Sequence, residues 1–69
     1  MRGESVEKLI TLRGARASAG LTQKQVCEAL NISLPTLRSY EKGRTIPDMR
    51  TGEAMAKLYE LPIDVIKFF

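Results

Sequence analysis

The stretch "LTQKQVCEALNISLPTLRSYEKG", residues 21–43, carries two helix starts and two helix stops within a third of the chain. Thr22 is an N-cap residue with Gln25 three positions on, the capping-box spacing, and Leu21 and Val26 stand at the two ends of a hydrophobic staple. Cys27 and Leu30 continue the apolar face of this helix, and Asn31, which tolerates positive φ, ends it. Ser33 then caps a second helix, with Ile32 and Leu37 as its staple. Pro35 falls in the first turn, where its missing N–H is harmless, and Gly43 is the stop. Helices ending near Leu30 and restarting near Ser33 cannot run antiparallel across so tight a turn. They cross steeply, and the second projects outward. Small Cys27 and Ala29 let the two approach, while Val26, Leu30, Ile32, Leu37 and Tyr40 supply their shared core.

On either side of this stretch the chain also reads as helical, since β-branched residues are scattered and no alternating run of useful length occurs. Residues 5–19 hold Leu9, Leu12, Ala15, Arg16 and Ala19 at steps of three or four, a stripe that stops at Gly20. Gly14 inside it costs roughly 1 kcal/mol relative to alanine, and is either a tolerated weak spot or a point of close helix packing. "RTIPD", residues 44–48, is a loop. Asp48 caps a further helix to about Tyr59 with Met49, Met55, Ala56 and Tyr59 inward, and "LPIDVIKFF", residues 61–69, reads as a last short helix. The expected fold class is all-α: a single compact five-helix domain over residues 1–69.

At 69 residues the chain is near the lower size at which one apolar core holds a fold, which leaves no room for a catalytic cleft of ordinary size. With no histidine and a single cysteine it offers no zinc-ligand cluster, no internal disulfide and no usual general base. These counts speak against an enzyme and against metal or redox chemistry, and no cofactor is expected. Apolar runs are too short to span a membrane, and "MRGESVEKLI" lacks the apolar stretch of a signal peptide, so a cytoplasmic location is expected. The net charge of +3 is concentrated. Residues 13–44 carry Arg13, Arg16, Lys24, Arg38, Lys42 and Arg44 against Glu28 and Glu41 only, which suits a polyanion-binding face and equally a solvated surface.

"LTQKQVCEALNISLPTLRSYEKGRTIPD" resembles the lambda repressor/Cro-like, phage-repressor type of helix-turn-helix family. In that family Leu-Thr-Gln opens one helix, and a Ser-capped recognition helix ends in Glu-x-Gly. "LRGAR" is similar to the family's first helix and "AMAKLYELPIDVI" to its fourth and fifth, so the resemblance covers about residues 8–66. It implies a lambda-repressor-like domain that binds double-stranded DNA sequence-specifically as a transcriptional regulator, a repressor or Cro-like protein, occupying an inverted-repeat operator as a homodimer.

By matched position the base contacts are Leu34, Pro35, Arg38 and Ser39. Arg38 can grip O6 and N7 of a guanine or clamp a phosphate. Leu34 and Pro35 cannot hydrogen-bond through their side chains, so they either touch thymine methyls or act within the fold alone, Pro35 fixing the helix start. Phosphate contacts fall on Gln23, Lys24, Ser33, Lys42 and Arg44, with Gln23 and Arg44 matching the family most directly. Lys24, Arg13 and Lys42, each taken singly, also fit solvated charges. The resemblance makes Arg16 and Glu41 a structural ion pair, the alternative being two unconnected surface charges. In the tail, Ile63, Val65, Ile66, Phe68 and Phe69 leave hardly any polar face. Ile66, Phe68 and Phe69 therefore read as a dimerisation surface, or else the two phenylalanines fold back onto a core that Gly52 leaves short of volume. The rival function is a protein–protein interaction module or antitoxin component on the same fold, using Leu34, Pro35 and Phe69.

Overall fold

The computed structural model describes residues 9–68. They run β1 (Ile10–Thr11), α1 (Leu12–Ser18), α2 (Gln23–Leu30), α3 (Leu34–Glu41), α4 (Met49–Tyr59), a 3-10 turn (Ile63–Val65) and β2 (Ile66–Lys67). The described residues thus hold four α-helices rather than the five expected. The core is formed by Leu12 and Ala15 of α1, Val26 of α2, Leu37 of α3, Met55, Ala56 and Tyr59 of α4, and Ile66 of β2. No helix among the described residues is long and apolar enough to cross a membrane.

Local chemistry places the two central helices as the sequence predicts. The Thr22 side chain accepts from the Gln25 N–H at 3.1 Å and the Gln25 side chain accepts from the Thr22 N–H at 2.8 Å, closing the capping box. Asn31 sits in the left-handed region at φ 57°, and the Ser33 hydroxyl accepts from the Thr36 N–H to start α3. Val26 and Leu37, the inner ends of the two staples, are fully buried. At the end of α3, Gly43 at φ 75° lets its own N–H reach the Tyr40 carbonyl and the Arg44 N–H reach that of Ser39, a Schellman stop. Ala29, expected between the two helices, is exposed, and half-buried Cys27 alone of the small pair packs on the core.

The two ends of the described residues depart from the helical reading. The first helix begins at Leu12, capped by the Thr11 hydroxyl, which accepts from the Gly14 N–H at 3.0 Å. Gly14 therefore lies in the first turn, where a Cβ would meet the Thr11 hydroxyl at 3.0 Å, so its closest neighbour is the cap and not another helix. Residues 5–8 of the expected helix lie outside the described residues. Ile10 and Thr11 are extended and pair in parallel with Ile66 and Lys67. The expected fifth helix is instead a single 3-10 turn followed by β2, which pairs with β1 and turns Ile66 into the core, Lys67 outward and Phe68 back beside Gly52.

Of the residues expected at a dimerisation surface, Ile66 is 4% exposed and lies within the chain's own core, which corrects its place there, while the half-buried Phe68 ring lies 3.5 Å from where a Gly52 Cβ would stand. Phe68 thus fills the volume that glycine leaves in α4, and Phe69 lies outside the described residues. Met49, expected inward, is 73% exposed, because as the first residue of α4 it projects past the end of the core beside Ile46 and Phe68.

Candidate nucleic-acid interface

On α3 the residues that face the core, Leu37 and Tyr40, leave Pro35, Arg38 and Ser39 on the outer side and Leu34 at the edge between the two. Pro35 and Arg38 are exposed and Leu34 and Ser39 half-buried. Pro35, in the first turn, lacks the N–H that would have no helical partner there. The Ser39 hydroxyl is paired with that of Thr45, 2.9 Å away in the loop after α3, a link that the sequence reading missed. Both are hydroxyl residues flanking the helix stop, but six positions apart in sequence they gave no local signal.

Behind this surface, α3 is tied to α1 through charge. Arg16 Nε donates to Glu41 Oε2 at 2.7 Å and Arg16 Nη2 to Glu41 Oε1 at 3.3 Å, while Arg16 Nη1 donates to the Leu21 carbonyl at 3.0 Å. The side chains are 14% and 5% exposed respectively, so this is a nearly desolvated pair rather than two surface charges. The hydrogen bond to Glu41 raises the Arg16 pKa above its ordinary value, against the opposing effect of burial. Gln23 Nε2 donates the third side-chain bond to Glu41, at 3.0 Å. Gln23, one of the expected phosphate residues, is therefore held by α3 at one amide N–H, with its other N–H and its oxygen outside that bond. Beneath the pair, Tyr59 is 3% exposed, and its hydroxyl has no hydrogen-bond partner among the described residues. Burial, reinforced by the nearby Glu41 charge, pushes its pKa up to about 12.

Of the remaining expected phosphate residues, Lys24, Ser33, Lys42 and Arg44 are all exposed. Lys24 lies in the first turn of α2, Ser33 caps α3, Lys42 is the C-cap of α3 and Arg44 follows its glycine stop. Lys42 joins Arg38, Gln23, Glu41, Arg16 and Arg13 around a cleft of about 300 Å³ between α1, α2 and α3. The apolar side chains of Leu34 and Pro35 are outside that group.

Residues 12–66 match a protein family described as helix-turn-helix. The chain is similar to the transcriptional regulator ClgR of Mycobacterium tuberculosis, 36% identical over 55 residues, 80% of this chain and 49% of the relative. It is similar to the cryptic phage CTXphi transcriptional repressor RstR of Vibrio cholerae, 35% identical over 52 residues, 75% of this chain and 47% of the relative. It is also similar to the HTH-type transcriptional regulator ImmR of Bacillus subtilis, 38% identical over 55 residues, 80% of this chain and 43% of the relative. The chain spans about half the length of these relatives or less. No solved structure gives a significant match.

Proposed function

Because the chain belongs to the Cro/C1-type helix-turn-helix family, we propose that it binds double-stranded DNA sequence-specifically and regulates transcription as a cytoplasmic repressor or Cro-like protein. In this reading it is not an enzyme, and it acts without a cofactor. The observation that carries the reading is the geometry of α3: a capped helix held from behind by Leu37 and by the Arg16–Glu41 pair, with Pro35 and Arg38 exposed on its outer side. Such a helix fits the major groove, where base edges present distinguishable donor and acceptor patterns.

Arg38 reads a guanine, Leu34 and Pro35 contact thymine methyls, and Ser39 bonds a base edge. Gln23, Lys24, Ser33, Lys42 and Arg44 hold phosphates on either side and set the register. With so few polar readers, much of the selectivity comes from DNA shape. One such module covers little DNA, so two copies occupy an inverted repeat as a homodimer, half-sites about one helical turn apart. Ile66 takes no part in that pairing because its side chain is in the core.

The test is selection of bound duplexes from a random pool, followed by salt titration of the enriched sequence. The expected result is a short inverted repeat whose affinity falls steeply with salt as counterions are released. No enriched motif and no salt-dependent binding would end the DNA reading in favour of a protein-interaction module.

A further inference from the structure

The cleft between α1 and α3 concentrates the charge of the molecule. Arg13 and Arg16 are one turn apart on α1, and Glu41 and the C-cap Lys42 each follow Arg38 by about one turn on α3, so the two sets face the same space. All five, with Gln23, line the same cleft of about 300 Å³. The inner members, Arg16 and Glu41, satisfy each other, and Gln23 and Leu21 complete their hydrogen bonds. The outer members, Arg13, Arg38 and Lys42, are exposed and form no ion pair with another described residue. Among the described residues, four cations and one carboxylate line the cleft and carry +3, as much as the net charge of the whole chain.

We propose that this cleft is a single oxyanion seat for one phosphate of the DNA backbone, and that Arg13, which lies on α1 outside the helix pair that carries recognition, is the residue that closes it. The inference rests on the DNA-binding reading above and names a contact within it. Its physical basis is that Glu41, the only carboxylate lining the cleft among the described residues, is already neutralised. Glu41 is turned toward Arg16 and Gln23, so an entering phosphate meets Arg13 and Lys42 and, among the described lining residues, no unpaired negative charge. Arg13 brings a planar fork of N–H donors suited to two phosphate oxygens, and Lys42 a compact charge on the facing helix. Arg38 lines the cleft from the recognition helix and adds to its field while its guanidinium serves the bases. The seat would fix how deeply α3 enters the groove, because it joins the backbone to α1 and α3 at once.

Arg13 is exposed and forms no ion pair with another described residue, so Arg13→Gln should fold as the parent does. The experiment compares parent, Arg13→Gln and Arg13→Lys on the duplex selected by the parent, with affinity measured between 50 and 200 mM salt and thermal unfolding as the control. One lost phosphate contact lowers the slope of log affinity against log salt by about 0.9, so over this fourfold range the parent should lose about 3.5 times more affinity than Arg13→Gln. Base preferences should be unchanged, and Arg13→Lys should restore the slope. A slope and affinity for Arg13→Gln equal to those of the parent would overturn the seat while leaving DNA binding intact. A change in preferred sequence would overturn it by making Arg13 a base reader. If the parent binds no duplex, the DNA reading itself fails, and the seat with it.

Discussion

Replacing Arg16 by methionine tests the scaffold behind α3. Methionine keeps the aliphatic length of the stem and removes the guanidinium. Three hydrogen bonds go with it, to Glu41 at 2.7 and 3.3 Å and to the Leu21 carbonyl at 3.0 Å. The Glu41 side chain, 5% exposed, is left with the Gln23 amide as its remaining partner. Removing one member of a buried ion pair costs about 3–5 kcal/mol. The site opens on the cleft and Arg16 is 14% exposed, so water screens part of the loss and the lower end, about 3 kcal/mol, is expected. For a domain of this size that is roughly 12–24 °C in melting temperature, out of a total stability of about 3–10 kcal/mol. The assay is thermal unfolding by circular dichroism, extended to Arg16→Met combined with Glu41→Leu. Since the cost is mainly a stranded carboxylate, the double variant should recover a substantial part of the loss. A loss below about 1 kcal/mol, or a double variant no more stable than the single one, would refute the argument that α3 is held by this pair.

Gly52→Ala should raise the melting temperature by about 4–8 °C through roughly 1 kcal/mol of helix propensity. The new Cβ would meet the Phe68 ring at 3.5 Å and Ile63 at 3.9 Å, ordinary contact, so a lower melting temperature would mean that the ring cannot accept it. Glu60→Gly should also stabilise, by about 0.5 kcal/mol, because Glu60 ends α4 at φ 58°, where a side chain is strained; chemical denaturation measures it, and no gain would contradict the strain. Tyr59, whose pKa is pushed up to about 12, contributes stability fully present below the ordinary tyrosine value and lost as pH rises through the folded one. Unfolding titrations between about pH 10 and 12 should therefore show falling stability in the parent and a shallower fall in Tyr59→Phe, whereas parallel curves would clear Tyr59 of the effect.

What the sequence made legible was what short-range chemistry decides. Thr22 with Gln25, Asn31, Ser33 and Gly43 each act on neighbours within a few residues, and the structure finds each in that role. The Thr11 cap was missed because the apolar stripe runs on through Leu9, although the Thr11–Gly14 spacing was there to read. The parallel pairing of β1 with β2 was not legible, since two-residue strands carry no periodicity and their pairing depends on the ends of the domain meeting. The same long-range packing decided the tail, where the space beside Gly52 takes Phe68. At the interface, the cap and glycine placed α3, but only the folded chain brings Arg13 of α1 to the same cleft as Lys42.

In the proposed reading α3 reads DNA while the charges around it hold the backbone, and the random-pool selection repeated with Arg38→Ala and Arg44→Ala beside the parent separates these two roles. Arg38→Ala should lose preference at one base position of each half-site, at a cost of about 1–3 kcal/mol there, whereas Arg44→Ala should keep the parent's motif and bind every sequence more weakly. If both variants return the parent motif with equal, uniform weakening, Arg38 touches only the backbone and α3 does not read bases as claimed.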